Sequence, residues 1–392
     1  MKSSLFWRAA VARLLAAGVM GMAGMAVQAP AREHLVYFGT YTGAKSKGIY
    51  VSRFDDETGS LSPARLAAET PAPSFLAVHP RHRFLYAVNE LEKFEGSAAG
   101  SVTAFAMDAK SGNLTAINTQ SSRGGAPCHV IVDKAGRNVL VANYSGGSVA
   151  VFPIRKTGGI DPASSFVQHA GSSVNKSRQE APHAHGIYLD SRDRFAYVPD
   201  LGLDRYMVYR FDSRKGTLAP ASPAYAAVAP GSGPRHFALH PSGAFAYGIH
   251  EMLCTVTSFN RDPRTGALAE INTVSTLPPG EAVKGGFSTA ELFCHPGGRF
   301  LYGSNRGHDT IAVYAIDPKS GRLSYVENAS TRGKVPRGFG IDPAGRWLLA
   351  ANQGSDNVFV FRIDPASGRL TATGQSIEVG SPVAVLFVPA AK

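Results

Sequence analysis

Cysteine is scarce. The 392-residue chain has three, Cys128, Cys254 and Cys294, widely spaced and odd in number. That points to buried free thiols more than to a disulfide framework or a metal site, with stability resting on packing. Charge is sparse too, at 18% of residues, against about 25% in an ordinary soluble domain. Acidic residues are outnumbered 29 to 40, for a formal net charge of +11, yet no block of five or six like charges occurs. Scattered bases of this kind read as a solvated surface first and a site for an anionic small molecule second; no nucleic-acid partner is expected. With 44% hydrophobic residues the chain is too apolar for disorder, and it lacks the Glu, Lys and Leu bias of a coiled coil. After residue 31 no apolar run is long enough to span a bilayer.

The first 31 residues lack acids and Arg-Arg pairs. Lys2, Arg8 and Arg13 precede an apolar run over residues 14–27, and Ala29-Pro30-Ala31 follows. This pattern reads as a signal peptide over residues 1–31 for the general secretory route, cleaved after Ala31, since cutting after Ala29 would leave Pro next. An uncleaved anchor is the alternative, but the run is short for a span. The mature chain, residues 32–392, is expected as one soluble domain in the periplasm or outside the cell, free of the membrane. Loss of Lys2, Arg8 and Arg13 lowers its formal charge from +11 to +8.

Glycine and proline are plentiful, 42 and 25, which implies many turns. Self-comparison explains them. One pattern recurs from Ser74 (SFLAVHPRHRFLYAVNE), Cys128, His185, Arg235, Ala290 and Arg337, at spacings of 54, 57, 50, 55 and 47 residues. Each copy is an apolar strand, a polar turn and a second strand. A third strand such as TIAVYAID follows in most copies, then D-x-x-[ST]-G-x-L, as at residues 317–323 and 364–370. Four short strands per period of about 50 residues are the signature of β-propeller blades.

Six copies leave two fragments. LVYFGTY and GIYVSRFDDETGSLSPA near the start supply a second, third and fourth strand, and SPVAVLFVP at the end supplies a first. The expected fold is therefore all-β: a seven-bladed β-propeller with four antiparallel strands per blade. The N- and C-terminal strands would share one blade, which removes two open sheet edges.

In such a ring the innermost strand of each blade starts beside the central channel, on the face that also carries the loop between second and third strands. Blade alignment therefore gathers His183, His185, Arg235, His236, Thr289, Glu291 and Arg337 from first-strand starts. From the loops it adds Tyr41, Asn89, Glu90, Asn143, Asp200, His250, Glu251, Asn305, Arg306 and Asn352. At the first-strand starts, blades 3 to 6 supply the His, Arg and Glu, whereas blade 1 offers Ser74 and Phe75, so a polar site offset toward those blades is expected. The four Asn suit the backbone needs of turns. His183 and His185 could share a strand face and chelate a metal, but no third ligand is evident nearby. Arg235 and Arg306 near a channel each need a carboxylate or an anionic ligand to offset desolvation. Glu251 is the partner at hand, and a purely structural pair is the alternative.

The segments APHAHGIYLD, LGLDRYMVYRFD, GPRHFALHP, STAELFCHP and LYGSNRGHDTIAVYAID are similar to those of the bacterial seven-bladed propeller lactonases, over about residues 35–389. That family includes the propeller-type 6-phosphogluconolactonase and is related to fungal muconate-cyclising enzymes. The resemblance implies hydrolysis of a sugar-type lactone and a catalytic set of His185, Arg235, Glu251 and Arg306. His185 would activate water as base, the arginines would stabilise the oxyanion or bind an acidic substituent, and Glu251 would orient an Arg or His185. His183, Asp200, His236, Glu291 and Arg337 are candidate substrate-binding residues. No metal or cofactor is expected, and without a G-x-S-x-G motif no acyl-enzyme is indicated. The partner expected is a small lactone, and a monomer is the default. A noncatalytic binding propeller of the cell envelope and a muconate-type cycloisomerase are the alternatives.

Overall fold

A computed structural model describes residues 33–390; the leader expected over residues 1–31 lies outside them. Twenty-eight strands form seven four-stranded antiparallel sheets, with no helix among the described residues. Blade 5 shows the plan: Ser288–Cys294 innermost, then Phe300–Arg306, Thr310–Ile316 and Leu323–Ser330. The seventh sheet runs Pro382–Pro389, Glu33–Thr40, Gly48–Asp55, Arg65–Glu69, with Tyr37 opposite Leu386. The two end fragments thus complete one blade.

Its apolar residues sit between blades. Among the described residues seven hydrophobic clusters occur, each joining two consecutive blades. In one, Val36, Phe38 and Phe54 of the seventh blade pack on Trp347, Leu349 and Val360 of the sixth; in another, Leu35 and Tyr37 meet Leu85 and Phe105 of the first. Each fully buried large side chain contributes on the order of 1.5–3 kcal/mol, so ring closure is a packing event.

The D-x-x-[ST]-G turns are built by their aspartates. Asp317 accepts from the backbone N–H of Lys319 (3.1 Å) and Ser320 (2.7 Å), and Gly321 follows at φ +70°. A Cβ there would strike the Phe245 ring of the preceding blade, so glycine is required by space as well as by conformation. Of the cysteines, Cys128 and Cys254 are buried and free, whereas Cys294 is free but half-buried. The expectation of three buried thiols is corrected at that position: Cys294 packs against the cluster between blades 4 and 5 and also lines the channel cavity.

Blade 3 departs from the pattern. Its inner strand is short, Tyr188–Leu189, and a long connection from Gln168 precedes it, touching the second strand through a bridge between Ala184 and Asp200. This connection carries several site residues.

Candidate active site

A cavity of about 340 Å³ opens among the first-strand starts, lined by His185, Glu251, Arg306, Arg337, Arg178 and Glu90 among others. A much smaller annex, about 10 Å³, shares Glu90, Cys128, His185 and Arg337 with it and adds Ser74, Arg235, His236 and Glu291. Phe75 and Glu291 separate this annex from a third, largely apolar cavity of about 540 Å³ along the channel.

Glu251 is the electrostatic centre. It follows the strand Phe245–His250 and accepts from Arg235 Nε (3.0 Å) and Arg178 Nη2 (2.6 Å), with Arg306 Nη2 at 3.0 Å. Burial alone would raise its pKa, but Arg306 and Arg235, aided by Arg178, hold it down at about 2. Arg235 and Arg306 are fixed further by the carbonyls of Ala290 (2.7 Å) and Thr289 (2.8 Å). Burial lowers the Arg306 pKa to about 10, which leaves it a cation at neutral pH. Glu251 thus orients arginines, and it makes no hydrogen bond to His185.

Arg337 differs. Its guanidinium makes no hydrogen bond or ion pair among the described residues and lies over the Tyr41 ring, 5.3 Å from its centroid. Tyr41 in turn donates to the Glu90 carboxylate, 2.9 Å from both oxygens. Arg337 therefore keeps its donors for whatever enters the cavity.

His185 is buried beside Cys128, with Nδ1 3.7 Å from Sγ, and meets the Tyr144 ring edge-on at 5.2 Å. Its pKa lies well below 6.5, chiefly through burial, then through the charges of Arg235, His236 and Arg337. The imidazole is thus neutral at pH 7, and Nε2 has no hydrogen-bond partner among the described residues. Burial pushes the Cys128 thiol up, so it stays protonated.

The remaining candidates are placed apart from the larger cavity. Asp200 is fully buried and spends its carboxylate on His169 Nδ1 (2.6 Å), His183 N (2.8 Å) and Leu203 N (3.2 Å). His183 stacks on Tyr144, centroids 4.6 Å apart, with Nδ1 3.1 Å from the Tyr144 carbonyl oxygen, and so supports that ring. His236 and Glu291 lie in the annex wall: His236 Nε2 accepts from Arg235 Nη1 (3.3 Å), and Nδ1 is 2.5 Å from Glu291 Oε1. Burial raises the Glu291 pKa to about 7. The four Asn serve turns; Asn143, Asn305 and Asn352 each donate to a loop carbonyl, of Ser122, Thr276 and Thr331. Among the described residues no group of three or more His, Cys, Asp or Glu is placed to hold a metal ion.

Arg178 and Tyr144 were missed as site residues. Arg178 comes from the blade 3 connection, and its one signal in the sequence was the longest spacing, 57 residues between Cys128 and His185.

A family model described as "Lactonase, 7-bladed beta-propeller" matches residues 35–387. The chain belongs to the seven-bladed propeller lactonase family. Similar proteins include the 6-phosphogluconolactonase of Bacillus subtilis, 36% identical over 310 residues, 79% of this chain and 85% of that protein. The 6-phosphogluconolactonase of Formosa agariphila is 32% identical over 318 residues, covering 78% and 86%. Among solved structures, the periplasmic gluconolactonase of Pseudomonas aeruginosa is 37% identical with a TM-score of 0.85, over 92% of this chain and all of that one. For this propeller lactonase, similarity to whole proteins of the family spans the ring and not one blade.

Proposed function

We propose that the protein hydrolyses a sugar-type lactone by direct attack of water. One observation carries this reading: a neutral His185 with an unengaged Nε2 lines a cavity whose wall holds Arg306 and the unpaired Arg337. Ester hydrolysis needs a base for the water proton and donors for the oxyanion developing on the carbonyl oxygen. His185 supplies the first and Arg306 the second, which leaves the unpaired Arg337 for a substituent of the substrate. Arg235 and Glu251 keep that cationic wall in place. When the ring C–O bond breaks, the leaving oxygen takes back the proton from His185, giving the open hydroxy acid.

Arg178, Arg306 and Arg337 outnumber Glu90 and Glu251 in the cavity wall, which suits a lactone with an acidic substituent. The two relatives named 6-phosphogluconolactonases support that choice. The leader pattern of residues 1–31, together with the similar periplasmic gluconolactonase, supports action outside the cytoplasm, where an unphosphorylated aldonolactone would be met. A pH-stat panel of 6-phosphogluconolactone, gluconolactone and a muconolactone, corrected for spontaneous opening, tests both points. Rapid proton release with a sugar lactone is expected. Turnover of muconolactone alone would favour the cycloisomerase reading, and no turnover at all a binding propeller.

A further inference from the structure

The annex beneath the cavity has the size of one water molecule and a wall that needs one. Its volume is about 10 Å³, the room a single ordered water takes. Ser74 Oγ is buried in its wall with no hydrogen-bond partner among the described residues. A hydroxyl left so is unfavourable, and water bridging is the usual remedy where neighbouring groups are polar. Here they are Glu90, His185, Arg235, His236, Glu291 and Arg337. Ser74, Cys128, His185, Arg235 and Arg337 are the first residues of the repeats in blades 1, 2, 3, 4 and 6. The ring brings one position of the repeat to one level of the channel.

We propose that this annex seats the hydrolytic water and that Ser74 is its positioning residue; the inference rests on the lactonase reading. Hydrogen-bond chemistry assigns the roles. Guanidinium groups only donate, so Arg235, whose Nη2 has no partner among the described residues, holds the water through a lone pair. Its two hydrogens need acceptors. Glu90 receives Tyr41, His236 Nε2 receives Arg235, and Glu291 Oε1 receives Leu292 N and faces His236 Nδ1, whereas two acceptors of the wall receive nothing. Ser74 Oγ and His185 Nε2 are unengaged. With both hydrogens placed there, the second lone pair is left for the lactone carbonyl carbon. One O–H proton passes to His185 Nε2 as the C–O bond forms, and it returns to the ring oxygen as that bond breaks; one water is consumed.

Ser74→Val and Ser74→Thr both add one methyl group to the buried serine and differ from each other only in methyl against hydroxyl, so the pair isolates the hydroxyl. Expected for Ser74→Val is a kcat lower than that of Ser74→Thr by roughly 10- to 100-fold, with KM alike and Tm no lower than in Ser74→Thr, whose kcat recovers toward wild type. A high-resolution crystal structure of the wild type should show a water within about 3.2 Å of both Ser74 Oγ and His185 Nε2. Wild-type kcat in Ser74→Val, or no ordered water at that position, overturns the proposal. A wild type that opens no lactone refutes the lactonase reading instead, and the crystal structure then decides the water seat alone.

Discussion

Arg235 and Glu251 stand at the same end of two paired strands of one blade, and Arg235 Nε donates to Glu251 Oε2 at 3.0 Å with both side chains buried. The same carboxylate also holds Arg306 and Arg178. Glu251→Gln keeps the shape and removes the charge that compensates these guanidiniums. Breaking a buried ion pair from one side costs about 3–5 kcal/mol. The expected outcome is a Tm lower by several degrees and loss of most turnover, read by thermal melts and pH-stat. An unchanged Tm would show that the arginines do not depend on this charge.

Stability should depend on pH with a definite sign. His129, His185, His236 and His250 are buried, and burial is the largest cause holding each pKa below 6.5, at about 4 for His250. Unfolded, they titrate near 6.5. Below that pH the unfolded chain binds more protons, so stability is full above about 6.5 and is lost as pH falls. Glu291, raised to about 7, acts in the opposite sense with one proton and does not reverse four histidines. Calorimetry should show Tm falling from pH 7 to pH 5; a rising Tm would contradict the buried neutral histidines.

Arg337 has no ion pair to lose, so Arg337→Gln should leave Tm nearly unchanged. Its donors face the cavity, and a hydrogen bond to a charged group contributes about 1.5–3 kcal/mol. For a lactone bearing an acidic substituent, kcat/KM should fall roughly 10- to 100-fold, and less for a neutral lactone. Equal losses on both substrates would place Arg337 at the reacting carbonyl rather than at the substituent.

Ring closure can be tested by truncation. Removing residues 381–392 deletes the strand Pro382–Pro389 and bares the edge of Glu33–Thr40. It also removes Val388 from the cluster joining the seventh and first blades. An aggregated or protease-sensitive product is expected by size-exclusion chromatography; a monodisperse, cooperatively melting product would show that the seventh blade does not depend on this strand.

The blade count and the shared blade were legible because each blade repeats one pattern of strand and turn residues, and the end fragments are complementary. The cluster of His185, Arg235, Glu251 and Arg306 was legible for the same reason: equivalent positions of a ring converge. Asp200 and His183 were harder to place. Their position in the repeat is right, but in blade 3 the long connection supplies His169, and His183 supports Tyr144, so both side chains are engaged locally. Arg178 belongs to that connection and has no counterpart in the other repeats. Repeat logic had no means of bringing it to Glu251.

The central claim is that a neutral His185 takes the proton of the attacking water. The most direct test is kcat/KM of His185→Gln against wild type on the best lactone of the panel, with circular dichroism to confirm the fold. The base role predicts a loss of roughly 10²- to 10⁴-fold, with the wild-type acid limb lying below pH 6.5, where His185 gains its proton. Wild-type turnover in His185→Gln, with the acid limb unmoved, would contradict it.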